Sequence, residues 1–453
     1  MKGIYIKKFT ALIICVLLSF SFAGCSILDF DVRNMMEAPR SDSDMAAVTE
    51  ILDAAGRADY CYVQNGDYRE AVMFASLTGK SNKDAFAFTY DASKRIQISF
   101  FSFKESSWHK TSEFTDKADK VDKVLFGDIT GDGIKDLIVG FTDSEDRNLI
   151  SIFTYSKEKD KIEKIDTKFY YTAFLCTNFR NTNKDELCVM RIENTADEET
   201  EKLVFSVYQY NNRKFYSVGS AVGSEAFSTR LTTIENAFFD MDGDGKFYVA
   251  AEGLSLQGVY ITQLFTENSY TERFYSPYSA NLERNNEAEF KRSMNTQLFS
   301  MDVNGDGRNE IPYMSQPKFT GISNAGYITD WVKPMFKSLT KEVVLSSIVN
   351  LNDNYYIPIR AEDRDNILSY KGSAEDSLDV YYIETDESKS VENAQKLFTV
   401  RVFTKPEWKE YTEKGYTEYT LILNSRGDAV YAVKDLYECD SSDYMIKGFT
   451  CIK

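Results

Sequence analysis

The sequence has a single histidine, His109, in 453 residues. That count excludes mechanisms needing two or three imidazoles and any multi-histidine metal centre. Proline (7) and tryptophan (3) are scarce, whereas Tyr (29) and Phe (32) are plentiful, a balance that favours strands. Positive charge is in deficit: 53 Lys and Arg face 70 Asp and Glu, for a formal net charge of −17. Gripping nucleic acid through its phosphates needs a basic footprint, so nucleic acid is not an expected partner. There is no GxSxG nucleophile elbow, and no CxxC pair to suggest a zinc knuckle or a thioredoxin-like site. Apolar residues are not lacking; at 43% of the chain, with 14% aromatic, they exclude a mainly disordered protein. The length exceeds what one ordinary core supports, so two or three domains, or a repeat array, are expected.

Lys2, Lys7 and Lys8 form a basic start, followed by an apolar run from Ala11 to Phe20 that is short for a bilayer span. It ends in Phe22-Ala23-Gly24-Cys25. Small residues before a cysteine resemble the lipobox of bacterial lipoproteins. The resemblance implies a signal peptide over 1–24, attachment of a diacylglycerol with palmitate-type chains to the thiol of Cys25, which becomes the mature N-terminus, and residence at the cell membrane on the extracytoplasmic side. The plainer alternatives are an uncleaved anchor or a cysteine that falls near an ordinary cleavage site. Cys61, Cys176, Cys188, Cys439 and Cys451 remain, an odd number best read as buried free thiols. Cys176 and Cys188 flank one loop on adjacent strands, which leaves a disulfide between them open.

Residues 25–58 read as the lipidated N-terminus, a polar tether and a short helix through Asp44–Leu52, with Ser43 as its cap. After Gly56 short apolar runs take over, such as Ala85–Phe88, Ile96–Phe101 and Leu203–Tyr208, and these read as strands. Three Asp-Gly segments punctuate them: Asp128-Ile-Thr-Gly-Asp-Gly-Ile-Lys-Asp136, Asp240-Met-Asp-Gly-Asp-Gly-Lys246, and Asp302-Val-Asn-Gly-Asp-Gly-Arg-Asn-Glu310. Worn copies start at Ser76 (closing at Asp84) and Asn178 (closing at Glu186). The starts are spaced 52, 50, 62 and 62 residues apart. A period of that size built from short strands indicates a β-propeller with one blade per repeat.

The loop chemistry suits a hard cation. Side chains at positions 1, 3 and 5 converge, Gly at 6 permits the turn, position 7 offers a carbonyl, and an acid at 9 closes the ring. All donors are oxygen, which favours Ca²⁺ over zinc or copper. The helix–loop–helix calcium motif requires Glu at position 12, where this chain has Val139, Ala251 and Tyr313. Its flanks, Val124-Leu125-Phe126 and Leu137-Ile138-Val139, are β-type, so the loop joins two strands.

Phe126-Gly127 before this DxTGDGxxD loop, with an apolar strand behind it, resembles the FG-GAP (VCBS-type) repeat, and with the lipobox the chain resembles secreted FG-GAP-repeat lipoproteins of bacteria. The resemblance covers roughly residues 25–315. It implies that Asp128, Thr130, Asp132, Ile134 (carbonyl) and Asp136 ligate one ion, and that Asp302, Asn304, Asp306, Arg308 (carbonyl) and Glu310 ligate another. Asp240, Asp242, Asp244 and Lys246 (carbonyl) would hold a third. There Tyr248 stands where the closing acid belongs, leaving water or Glu252 to complete the site. The worn copies lack the carboxylates and are not expected to bind metal.

The expected fold is therefore all-β: a propeller over 59–345 of five FG-GAP-like blades, alternatively up to seven, with a small α+β domain over 346–453. In the latter, Pro406 sits in the first turn of a helix and Thr420–Leu423 pairs with Ala429–Val433 in a hairpin. The alternative for this segment is further blades without loops. His109 sits in a charged stretch without a visible catalytic partner, and the grouped acids are accounted for by the loops. The expected function is a non-catalytic binding module for a protein or glycan ligand. The alternative is an extracellular polysaccharide- or peptide-degrading enzyme working through paired carboxylates.

Overall fold

The computed structural model describes residues 42–57, 59–79, 84–194, 201–223, 237–239, 247–255, 258–268, 271–277, 290–292, 297–315, 328–335, 340–374, 376–383, 394–424 and 427–452. The signal segment, Cys25 and the tether lie outside them. The chain is mostly β, and the strands of the described residues form six sheets, none closed into a barrel.

Sheet one runs β1 (Val72–Phe74), β2 (Asp84–Tyr90), β3 (Ile96–Lys104), β4 (Ser107–Asp116). Sheet two runs β5 (Lys120–Gly127), β6 (Asp136–Thr142), β7 (Asn148–Ser156), β8 (Lys161–Tyr170). Sheet three holds β9 (Ala173–Thr177), β10 (Glu186–Asn194), β11 (Glu201–Asn211) and β12 (Lys214–Val222), again in chain order. Sheet four holds β13 (Ala237–Phe239), β14 (Phe247–Leu254), β15 (Tyr260–Asn268) and β16 (Arg273–Tyr275), with β17 (Phe290–Lys291) also on β15. Sheet five is β18 (Ile311–Ser315), β19 (Ile328–Met335), β20 (Thr340–Asn350), β21 (Tyr355–Ile359), and finally β27 (Thr450–Cys451). Sheet six departs from chain order: β22 (Ile367–Lys371), β23 (Ser377–Tyr382), β24 (Gln395–Thr404), then β26 (Ala429–Lys434) inside β25 (Thr420–Asn424). The boundary expected at 345/346 falls inside β20.

The burial patterns explain why short apolar runs become inner strands. β2 and β3 are buried along nearly their whole length, on both faces, whereas β4 exposes most of its residues. Strands covered on both faces read as continuous apolar runs, and outer strands carry the polar residues. Sheets three to six pack consecutively through their side chains. Phe205, Met190 and Leu203 of sheet three meet Val249, Ile261 and Phe265 of sheet four. Tyr248, Ala250 and Leu264 meet Ile311 and Val332 of sheet five. Ile348 and Ile357 meet Val380, Phe398 and Val400 of sheet six. Each fully buried side chain of this size contributes about 1.5–3 kcal/mol.

By compactness the chain divides into two units, one of residues up to Val124 with Phe153–Ile165, the other of Leu125–Ile152 with Asp166 onward. In the first, helix α1 (Asp42–Ala54) buries Val48 and Leu52 against Val72, Ala85, Ala87, Phe101 and Trp108. The Trp108 indole donates to Asp44 Oδ1 at 3.1 Å. The helix begins at Asp42, so Ser43 lies in its first turn and not at the cap. In the second unit, helix α2 (Lys405–Glu413) has Pro406 in its first turn and a Thr404–Glu407 capping box. Its Trp408 and Tyr411 pack on Phe403 and Tyr419. β25 and β26 pair as the expected hairpin. Helix α3 (Asp440–Lys447) places Met445 in the core shared with β21 and β24.

Candidate metal centre

The loops occupy one topological position. Residues 76–84 join β1 to β2, 128–136 join β5 to β6, and 178–186 join β9 to β10, each time the first strand of a sheet to its second. The 302–310 loop enters β18, and the strand before it is reduced to one bridge between Met301 and Glu310. Asp240, Asp242, Asp244 and Lys246 lie outside the described residues; the flanking β13 and β14 pair, with Phe239 opposite Phe247.

A shared geometry accompanies that position. The fourth residue is left-handed in each described loop: Gly79 (φ 62), Gly131 (φ 76), Asn181 (φ 53) and Gly305 (φ 78). In the two intact loops the sixth is left-handed as well, Gly133 at φ 80 and Gly307 at φ 81. Side chains have a steric cost there that glycine escapes. The first side chain folds back over the turn. Asp128 accepts the amides of Gly131, Asp132 and Gly133 at 2.7–3.1 Å. Asp302 accepts those of Gly305 and Gly307 at 2.7 and 2.9 Å. The ninth residue closes the loop: Asp84 accepts from Leu77 and Thr78, Asp136 from Thr130, Glu186 from Arg180, and Glu310 from Val303, all at 2.9–3.1 Å. This closing role recurs in intact and worn copies alike, and it is distinct from the ion-ligand role that the same acid suits by residue type.

In the second loop Asp132 Oδ1 accepts the Ile134 amide, and Asp136 is 1% exposed. Thr130 Oγ1 is buried and has no hydrogen-bond partner among the described residues. An orphaned oxygen at position 3, beside two or more carboxylates, is the donor a hard cation would satisfy. Asp185, from the third loop, accepts the Asp128 amide at 2.7 Å and pairs with Lys135 at 3.3 Å. In the fifth loop Asn304 donates to Asp306 at 3.2 Å and to Glu310 at 3.4 Å, and Asp306 accepts the Arg308 amide at 2.9 Å. Glu310 is 3% exposed, and its burial, reinforced by the charges of Asp306 and Asp302, pushes its carboxyl up to about 7. Among the described residues no three His, Cys, Asp or Glu side chains form a metal-holding group. Hydroxyl, amide and carbonyl oxygens would have to share the coordination.

One expectation is corrected and one open alternative is excluded. Glu252 is not free to complete the loop at 240. Buried at 2% exposure, it accepts Arg292 Nη2, Ser300 Oγ and Thr262 Oγ1, each at 2.6 Å, and the Ser300 amide at 3.0 Å. Cys176 and Cys188 form no disulfide. Cys176 lies opposite Leu187 and Cys188 opposite Leu175, so the two point to opposite faces of the sheet. Burial pushes both thiols well up. His109 lies on exposed β4 with its Nε2 2.8 Å from Ser107 Oγ, a surface contact outside any enclosed site.

No protein-family model and no curated protein matches the chain. Among solved structures it is similar to the Bacillus licheniformis rhamnogalacturonan lyase PL11, at 10% identity and a TM-score of 0.29, over 56% of this chain and 59% of the lyase. It is also similar to a Bacteroides uniformis ATCC 8492 protein described as a "putative 6-phosphogluconolactonase", at 10% identity and a TM-score of 0.27, over 64% of this chain and 88% of that one. The chain thus spans about three-fifths of the lyase it matches.

Proposed function

We propose that this chain is a lipid-anchored, extracytoplasmic β-propeller of FG-GAP-like blades, stabilised by Ca²⁺, that acts as a non-catalytic binding module for a protein or glycan. The observation that carries the reading is the recurrence of one loop geometry between the first two strands of sheets one, two and three, and again at the entry to β18. Six sheets would make six blades, between the five counted from the loops and the seven allowed, with α2 and α3 as additions to the last. Ca²⁺ would be held by Asp128, Thr130, Asp132, Asp136 and the Ile134 carbonyl in the second loop. In the fifth it would be held by Asp302, Asn304, Asp306, Glu310 and the Arg308 carbonyl. The ion supplies positive charge where like charges otherwise crowd a tight turn. Each loop provides most of its own donors, which leaves little open coordination for a substrate and favours a structural ion. The ends of such a propeller are built from loops, the usual place for a binding surface.

An ion that binds only the folded state stabilises it by about 2.7 kcal/mol per site at a hundredfold excess over Kd. Chelation is therefore expected to lower the melting temperature, and Ca²⁺ to restore it better than Mg²⁺, whose octahedral demand these loops meet poorly. Asp132→Ala and Asp306→Ala should each remove most of one site's share, while Thr182→Ala should leave the calcium response unchanged. Equal melting in chelator and millimolar Ca²⁺, with no metal by elemental analysis, would reduce the loops to turns. Turnover of a polysaccharide or peptide by the purified chain would overturn the non-catalytic assignment.

A further inference from the structure

We propose that the guanidinium of Arg180 is the resident cation of the third loop, taking there the place that Ca²⁺ takes in the second and fifth loops. The inference rests on the calcium reading of those two loops. Residues 178–186 keep the turn at Asn181 and the closing acid Glu186 but lose the carboxylates at positions 1 and 5, where Asn178 and Thr182 stand. At position 3, where the intact loops offer the oxygens of Thr130 and Asn304, this loop carries Arg180.

The side chain turns into the loop. Arg180 Nε and Nη2 each lie 2.7 Å from Glu186 Oε1, and the Arg180 amide donates to Oε2 at 3.1 Å. Glu186 is fully buried and the arginine side chain is 25% exposed. A buried carboxylate without a counter-charge would cost several kcal/mol, so the pairing is the condition for keeping an acid at position 9 here. Positions 1 and 5 close on each other without an ion: Asn178 Oδ1 accepts the Thr182 amide at 2.6 Å, and Asn178 Nδ2 donates to the Thr182 carbonyl at 2.6 Å. Burial raises the Glu267 carboxyl, with the Arg180 charge opposing that rise and the Glu186 charge adding to it.

Charge and valence explain the exchange. A Ca²⁺ ion asks for six to eight oxygens, whereas a guanidinium is a singly charged donor fork that one carboxylate neutralises. Losing the carboxylates at 1 and 5 is therefore coherent with gaining arginine at 3. The third loop then stays closed at any calcium level. Because its Asp185 holds the Asp128 amide at 2.7 Å, it gives the second loop a calcium-independent buttress.

The test uses the full chain in four variants. Arg180→Met should lower the melting temperature by the same amount in chelator and in Ca²⁺, Arg180→Lys should lower it less, and adding Glu186→Gln to Arg180→Met should recover part of the loss. Arg180→Thr combined with Thr182→Asp reproduces the second loop's residues at positions 3 and 5. By calorimetric titration it should bind one more Ca²⁺ than the parent. An Arg180→Met variant as stable as the parent in chelator overturns the proposal. So does a double variant that folds but binds no additional ion while the parent binds at its own loops. A parent that binds no Ca²⁺ overturns the calcium reading, and with it the equivalence proposed here. The recovery by Glu186→Gln still decides whether Arg180 neutralises Glu186.

Discussion

The buried pair Arg292–Glu252 offers a sharp test of how sheet four is joined to the segment before the fifth loop. Both side chains are almost fully enclosed, at 1% and 3% exposure, and meet at 2.6 Å. Glu252 on β14 also gathers Thr262 from β15 and both donors of Ser300, so one carboxylate ties three segments. The pair is not fully satisfied: Arg292 Nε and Nη1 are buried without a partner among the described residues, and burial pulls the arginine below its usual range. Arg292→Met leaves the carboxylate with neutral donors only, and breaking a buried pair from one side costs about 3–5 kcal/mol. Glu252→Gln strands the guanidinium and should cost about as much. The double variant removes both charges and the two unpaired donors together. It should therefore lose much less than the sum of the singles, with a coupling of about 2 kcal/mol or more, since removing both partners avoids the desolvation penalty of a lone charge. Urea unfolding at fixed Ca²⁺, read by tryptophan fluorescence, measures all four corners of the cycle. Additivity within about 0.5 kcal/mol would show that the two groups do not depend on each other and would refute the argument.

Gly127 has no left-handed backbone to explain it; a Cβ there would stand 2.1 Å from Cys176 Sγ. Gly127→Ala should thus cost about 1–3 kcal/mol by overpacking, with Cys176→Ala restoring much of it in thermal unfolding; no rescue would put the cause elsewhere. In chelator, Glu310 with its carboxyl at about 7 should contribute stability that is present below about pH 4.3 and lost as pH rises through about 7. Ca²⁺ should suppress that fall, and Glu310→Gln should flatten it, which a pH series of melting curves checks. Cys25→Ala should release the protein from the membrane fraction and abolish acyl labelling, because a lipid contributes about 0.8 kcal/mol per buried methylene; unchanged fractionation and labelling would remove the anchor.

Strands and turns were legible where the physics is local. Ala85–Phe88 and Leu137–Val139 are apolar because both faces are covered, and that pattern survives translation into β2 and β6. The Thr404-Lys-Pro-Glu407 start of α2 is legible for the same reason: the cap and the proline act within one turn. The ordering of sheet six was not, because β25 and β26 pair as a local hairpin while β26, and not β25, meets β24 across the helix that separates them.

The loops show the same division more finely. Position 6 glycine was read from the sequence as a turn requirement, but position 4 proves the more general one, since a left-handed residue stands there even where Asn181 replaces glycine. The closing acid was read as an ion ligand because ligand and latch call for the same residue type. Only the amide bonds of Asp84 and Glu186, in loops without the other carboxylates, separate the two roles. Arg180 looked like wear for a related reason: a cation at a ligand position reads as damage until the buried acid six residues on is seen to need it. In Asp185 the third loop also carries a residue that matters to its neighbour. A loop without the other carboxylates can thus still be tied to the loop beside it, which a periodicity argument treating each copy separately cannot detect.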